Sequence, residues 1–338
     1  MVPSLFWEII RIFVANTFSE RCNKTDSITR RKYMLIAVDH GNSSIKTVNY
    51  SFVSGLAQHS VRPPVAEEII EYEGSFWTLT GQRFPYCRDK TRDERFFILT
   101  LFGIAKEILR TGEYRRTERI DLAVGLPPEH YGILKEKFAQ YFKRNESIHF
   151  VYNDMPFTIM IGKVFVYPQA YAAIAPQKGQ LNHHLRLFLI DIGGYTTDVL
   201  LLKNGKPDMQ FCRSLETGVI TMNNDIIRRV GALHDMHIED EHILAVLCGK
   251  ETILPEDVKE TIRAAAEQHT KDILDKLREL KVDLRSNPAF FIGGGSILFR
   301  EYLEKSPLVA KAYYLDNPNA NAVGYQSLAE AQMAIGRI

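Results

Sequence analysis

The chain has 338 residues, 45% of them apolar, and its 42 basic and 41 acidic residues leave a formal charge of +1. At roughly 150 residues per domain this length suits about two folded domains with sizeable cores, and the balanced charge excludes a global preference for nucleic acid, membrane or an acidic substrate. The four cysteines, Cys22, Cys87, Cys212 and Cys248, lie far apart without CxxC spacing, so neither a disulfide framework nor a zinc knuckle is expected and a reduced, cytoplasmic setting is the default.

In chain order, residues 5–15 (LFWEIIRIFVA) are apolar but contain Glu8 and Arg11, which spoil the roughly 20-residue apolar span of a membrane helix. No basic region precedes them and no small-residue cleavage site follows, so neither an anchor nor secretion is expected. A polar, somewhat basic stretch leads to Met34, directly before the first strong strand, so residues 1–33 read as an appendage, an amphipathic helix or an upstream start. Leu35–Val38 is a short strand that ends in Asp39–Lys46 (DHGNSSIK), and strand character resumes over 47–53. Residues 54–90 mix prolines, glycines and short aromatic strands, as an inserted small sheet would. Apolar residues from Phe96 to Ile108 recur at helical spacing and predict a helix over 92–110. Residues 120–126 form a buried strand stopped by Pro127 and Pro128, with a helix over about 129–144. Two strands are predicted at 157–161 and 163–167, and Pro168 is predicted to open a helix through Ile174.

After a polar link at 177–180, residues 187–202 (LFLIDIGGYTTDVLLL) repeat the strand, polar turn, strand pattern, and Asn204-Gly205 leads to a hairpin partner. Gly218 precedes a helix over 221–230. Residues 235–285 are charged and helical, with a long helix from Glu256 to about Leu280. Residues 290–303 read as strand, glycine turn and helix, and 322–334 as a closing helix. Both halves thus open on a strand ending in Asp-x-Gly, and the two aspartates stand about 150 residues apart, a spacing that fits duplicated domains. The first domain spans 34–178 with a small insertion at about 54–92. The second spans 179–316 with a helical insertion at about 225–285, and 317–338 returns to the first.

Two glycine-bearing hairpins, each led by an aspartate, can clamp a polyphosphate from both sides: backbone N–H groups cradle the phosphates and carboxylates hold a hydrated Mg²⁺. Lys46 supplies the cation on the first hairpin, and a lysine-phosphate pair at about 4 Å near a surface is worth on the order of 4 kcal/mol before desolvation. Gly293, Gly294, Gly295 and Ser296 follow a strand and open a helix, which lets a nucleotide approach backbone closely. A GGGS run alone is weak evidence, and so is one Asp-led hairpin. The order and spacing of all three carry the reading.

These three motifs resemble those of the actin, heat-shock chaperone and sugar kinase superfamily, over essentially residues 34–338. Within it the chain is similar to the bacterial actin-like ParM/StbA family of plasmid segregation, through DHGNSSIK with Lys46, Val124–Tyr131 (VGLPPEHY), Val166–Ala170 (VYPQA) and Asn319–Tyr325 (NANAVGY). The resemblance implies an α/β fold of two duplicated ribonuclease H-like domains with a nucleotide cleft between them. It implies that Asp39 and Asp191 organise Mg²⁺ through water and that Lys46 contacts the β and γ phosphates of ATP or GTP. Gly41, Asn42 and Ser43 on one hairpin and Gly193, Gly194, Tyr195 and Thr196 on the other would lie against the phosphates. Gly293, Gly294, Gly295 and Ser296 would meet the adenosine. Gln169 matches the position of the family's catalytic Glu or Gln, which orients the attacking water. It is an amide, as in actin, where the plasmid members carry glutamate, so it can position water but not take its proton, and slow hydrolysis is expected.

Asp198 is expected to cap its turn. Glu216, Thr217 and Gly218 fit a nucleotide-facing loop or a helix start equally. His234, His237 and His242, among Asp235, Glu239, Asp240 and Glu241, are expected to form a solvated loop and helix start rather than a metal site, and His183-His184 needs no function. The implied function is a slow ATPase that forms head-to-tail filaments and engages a DNA-bound adaptor, without contacting nucleic acid or membrane itself. The alternatives are a small-molecule kinase and a nucleotide-gated scaffold or chaperone.

Overall fold

Each acid-led hairpin sits at the heart of its own sheet. The computed structural model describes residues 34–144, 146–177 and 183–336, so the expectations for residues 1–33, Cys22 among them, lie outside the described residues. The first sheet is built from β1 (Met34–His40), β2 (Ser44–Thr47), β3 (Ser51–Val53), β4 (Leu56–His59), β5 (Ile69–Tyr72), β6 (Ser75–Leu79), β7 (Thr117–Leu126), β8 (Ile148–Tyr152) and β9 (Met155–Pro168). Helices α1 (Arg95–Arg110) and α2 (Pro128–Phe142) and the short α3 (Tyr171–Ile174) connect or follow them. The second sheet comprises β10 (Arg186–Ile192), β11 (Thr197–Lys203), β12 (Lys206–Leu215), β13 (Ala289–Ile292) and β14 (Ala312–Tyr314). Its helices are α4 (Val219–His234), α5 (Asp240–Leu247), α6 (Glu256–Glu279), α7 (Gly294–Leu298) and α8 (Arg300–Lys305), and α9 (Ala320–Ile335) closes the chain.

The strand orders are β3-β2-β1-β7-β9-β8-β5-β6-β4 and β12-β11-β10-β13-β14. The first five strands of the larger sheet and all five of the smaller share one topology: an antiparallel meander, then two strands parallel to its first member. This is the duplication that the repeated Asp-x-Gly announces. Strands β4, β5, β6 and β8 extend only the first copy.

The central strands are buried on both faces, which is why they read as unbroken apolar runs. On one face of the first sheet α1 contributes Phe97, Leu101 and Ile104, all fully buried with Val38 and Val124. On the other, α9 lays Tyr325, Leu328 and Ala329 against Ala37 and Ala123, small residues that let helix and sheet approach closely. In the second sheet Phe188, Ile190 and Ile192 face α4 and α6. Their alternates Leu187 and Leu189 pack with Ala170, Tyr171 and Ile174 of the α3 segment, so a segment that leaves the first sheet shares a core with the second. Among the described residues no helix is long and apolar enough to cross a membrane, and Cys87, Cys212 and Cys248 are free thiols.

Three local expectations are corrected. The two strands at 157–161 and 163–167 are one strand, β9, because Gly162 is absorbed where the register shifts against β7, and the Asp121 carboxylate accepts from Lys163 N at 2.7 Å. Pro168 ends β9 instead of opening a helix; a terminal strand residue needs no N–H, and Gln169 N resumes the bonding to Leu126 O at 2.8 Å. Helix α1 starts at Arg95, since Asp89 folds Lys90–Arg92 into a separate 3-10 turn.

Candidate functional site

The hairpins put their charged residues in matching positions. Asp39 is opposite Lys46 across β1 and β2, and Asp191 is opposite Asp198 across β10 and β11, so each pair shares a face of its sheet. Both pairs line one cleft of about 370 Å³, within the range of small-molecule sites. Gly41, Asn42 and Ser43, Gln169, Gly193, Gly194, Tyr195 and Thr196, and Gly293, Gly294 and Gly295 line the same cleft. Ser296 does not. It is buried and its hydroxyl donates to the Gly293 carbonyl at 2.7 Å, closing the turn in which Gly293 holds φ 86°.

An anion-binding turn needs its carbonyl oxygens engaged elsewhere. The second hairpin achieves this with the start of α4: Val219 N, Ile220 N and Gly218 N donate to the carbonyls of Gly193, Gly194 and Tyr195 at 3.1, 2.7 and 2.9 Å. Gly218 is the N-cap and no side chain caps the helix, so the segment of Glu216, Thr217 and Gly218 is a helix start that braces the hairpin. The two hairpins also touch. A Cβ on Gly194 would lie 2.5 Å from the Ser43 Cβ, so glycine here permits the close approach that narrows the cleft around a phosphate chain.

Gln169 follows the end of β9 in a strained turn. Ala170 adopts φ 60°, ψ −55°, and Tyr171 N donates to Gln169 O at 2.6 Å, the rarer, left-handed form of the γ-turn. Ala170 N is held by Asn321 Oδ1 at 2.9 Å. The turn aims the Gln169 side chain at Asp39, where Nε2 donates to Oδ1 at 2.8 Å. With the amide nitrogen so used, the amide oxygen remains to accept from a water. A glutamate at this position would face Asp39 carboxylate to carboxylate, which gives a physical reason for the amide.

Helix α9 supplies two groups that the sequence reading did not assign to the site. Asn321 Nδ2 donates to Asp191 Oδ2 at 3.1 Å, and the Tyr325 hydroxyl donates to Asp39 Oδ1 at 3.3 Å. Burial, reinforced by Asp39 and Asp191, holds the Tyr325 phenol well above its usual pKa, so it stays a donor. Burial likewise raises Asp191, against the hydrogen bond from Asn321. Both residues lie in the NANAVGY segment, a signal noted without a role.

Asp198 is the larger correction. One oxygen does serve the turn, accepting from Thr196 Oγ1 at 3.0 Å, but the buried Oδ1 has no protein partner among the described residues and the residue lines the cleft. The signal was available, since Asp198 follows Asp191 at the spacing by which Lys46 follows Asp39. Burial pushes its pKa from 3.8 to about 7, opposed by Ser214 and Thr196 and reinforced by Asp191. Between those two values the folded chain keeps a proton that the unfolded chain has released, so stability falls as the pH rises through that window. Asp198→Asn should flatten this decline in denaturant titrations of nucleotide-free protein at the two ends of the window; an unchanged decline would refute the assignment.

Lys90 also lines the cleft. Burial lowers its pKa, countered by the charge of Asp39. Val219, Leu244 and Leu298 add apolar surface to the cleft, which Asn317 and Pro318 also line. Among the described residues no group of three or more His, Cys, Asp or Glu is placed to hold a metal ion. His234 instead bonds Thr261 at 2.8 Å, and His242 completes a capping box with Glu239. Asp39 and Asp191 both line the cleft, and two carboxylates are a donor set that suits a Mg²⁺ taking its other ligands from water.

A repeated sheet of this topology, with acid-led hairpins and a glycine turn meeting in one cleft, is the architecture of the actin fold. Residues 37–171 match the family described as actin like proteins N terminal domain, and residues 189–305 match that of the archaeal actin homologue MreB-like, C-terminal. No curated protein sequence matches the chain. Among solved structures, the archaeal actin homologue Ta0583 in complex with ADP is 18% identical, with TM-score 0.69 over 88% of this chain and 99% of that one. Bacillus thuringiensis ParM with ATP is 11% identical, with TM-score 0.64 over 90% and 100%. The Alp12 filament structure is 15% identical, with TM-score 0.61 over 89% and 99%. The chain belongs to the actin-like proteins, and filament proteins of the ParM and Alp kinds are among those it is similar to in fold.

Proposed function

We propose that this chain binds and slowly hydrolyses ATP in the cleft and polymerises head to tail into dynamic cytoplasmic filaments of the plasmid-segregating kind, with a DNA-bound adaptor as partner. The observation that carries this reading is the convergence of Asp39, Lys46, Asp191, Gln169 and Gly293–Gly295 on one cleft, in two hairpins of equal register. Lys46 and the hairpin amides bind the β and γ phosphates, and the glycine turn with Leu244 and Leu298 receives the adenosine. Asp39 and Asp191 would hold Mg²⁺ through waters, and the ion when bound offsets phosphate charge. Gln169, fixed by Asp39 and its strained turn, orients the attacking water in line with the terminal phosphate. The relatives solved with ADP and ATP support the choice of nucleotide. Open head-to-tail assembly follows when a repeated contact does not close into a ring, and the Alp12 filament supports it.

A second reading, a small-molecule kinase, is favoured by one observation: the unpartnered Asp198 oxygen in the cleft resembles a base awaiting a hydroxyl. Phosphate release from ATP and Mg²⁺ without an acceptor decides between them. The filament reading expects release that rises with protein concentration as polymer forms. ADP formed only after a hydroxyl compound is added, with the phosphoryl group carried onto that compound and no phosphate set free, contradicts it. Lys46→Ala and Asp191→Ala should each weaken ATP binding about tenfold or more, the scale of a lost charged contact, as read by calorimetry; wild-type affinity in either would remove that residue from the phosphate site.

A further inference from the structure

The loop from β6 to α1 looks like insertion linkage in the sequence, yet it is wedged between both hairpins. Phe84 N donates to Ser54 O at 2.8 Å, and the Ser54 hydroxyl donates to the Gly41 carbonyl at 2.7 Å. Cys87 N donates to Asn42 Oδ1 at 3.3 Å, which ties the loop to the first hairpin. The Tyr86 ring stacks on Tyr195 of the second, with centroids 4.0 Å apart and planes 14° apart. Beyond these ties the chain makes the 3-10 turn Lys90–Arg92. Its shape is locked by Asp89, which accepts from Thr91 N at 3.2 Å, Thr91 Oγ1 at 2.6 Å and Lys137 Nζ at 2.6 Å. A loop anchored in this way has a fixed direction, and it delivers Lys90 to the cleft.

The Lys90 ammonium lies 5.6 Å from the Phe96 ring centre, and among the described residues no carboxylate forms an ion pair with it. The carboxylates that act on its charge are Asp39 and Asp198, one from each hairpin, and Asp39 is the residue that holds Gln169. Lys90 therefore enters the cleft from the side where its loop is tied to both hairpins. A sheltered ammonium without a paired anion is costly, and an incoming phosphate offsets that cost.

We propose that Lys90 is a third phosphate ligand, presented by the β6–α1 loop to the terminal phosphate of a bound nucleoside triphosphate. This rests on the nucleotide reading above and deepens it: Lys46 grips the phosphate chain from the first hairpin, and Lys90 makes the site distinguish a triphosphate from a diphosphate. The test measures affinity of the full chain for AMPPNP and for ADP, each with Mg²⁺, in wild type, Lys90→Ala and Lys90→Arg. The expected result is a loss of about tenfold or more in AMPPNP affinity for Lys90→Ala with ADP affinity retained, and recovery of most of it in Lys90→Arg. Retained ADP binding also shows that the variant is folded. Equal losses for both nucleotides, or no loss for AMPPNP, would overturn the proposal. A wild-type protein that binds neither nucleotide would overturn the nucleotide reading with it.

Discussion

Gln169→Ala should slow ATP turnover about a hundredfold or more, the scale for losing one positioned catalytic group. ATP affinity should stay close to wild type, because the phosphate ligands proposed above are other residues. The side chain is a positioned amide whose nitrogen is committed to Asp39 at 2.8 Å, so removing it deletes the acceptor for water and leaves the cleft in place. Gln169→Glu separates orientation from charge. It sets a second carboxylate against Asp39, and like charges at such distance cannot both ionise without cost, so nucleotide-free Gln169→Glu should be the less stable protein and its turnover should depend more steeply on pH. Steady-state phosphate release with parallel calorimetry checks both. Turnover and affinity falling together in Gln169→Ala would place Gln169 among the binding groups.

The second large effect is structural. Tyr325→Ala should cost about 3–5 kcal/mol of stability, the range for emptying a large buried aromatic site. Tyr325 is fully buried, and a Cβ on Gly125 would lie 2.1 Å from its ring, so the strand end is shaped around the tyrosine. Tyr325→Phe keeps the ring and removes only the donor to Asp39, at a cost of about 1 kcal/mol. Denaturant midpoints of the nucleotide-free proteins check this. Similar losses for the two variants would mean that the hydroxyl, and not the packing, carries the effect.

The parts of this molecule that were legible in the sequence are those whose physics is local. An apolar run broken by Asp-x-Gly and resumed declares a buried hairpin, and meeting it twice declares the duplication seen in the two sheets. The residues that escaped notice are placed by long-range contact. Asn321 and Tyr325 reach Asp191 and Asp39 from the far end of the chain, and no periodicity encodes that reach. Lys90 sits in a loop whose direction comes from distant contacts with Asn42, Tyr195 and Lys137 as much as from its neighbour Asp89. Asp198 looks like a turn residue along the string of the hairpin, and only the paired register shows that it matches Lys46. Proline at position 168 suits both a helix start and a strand end, and only the bond from Gln169 N to Leu126 O decides for the strand.

The most direct test of the central claim is sedimentation of the full chain with Mg²⁺ and ATP, AMPPNP or ADP, with negative-stain micrographs of the pellets. The account predicts filaments with ATP and AMPPNP, persistent with the analogue, shrinking as ATP is consumed and absent with ADP. A protein that binds ATP yet stays in the supernatant at every concentration and nucleotide state would contradict it.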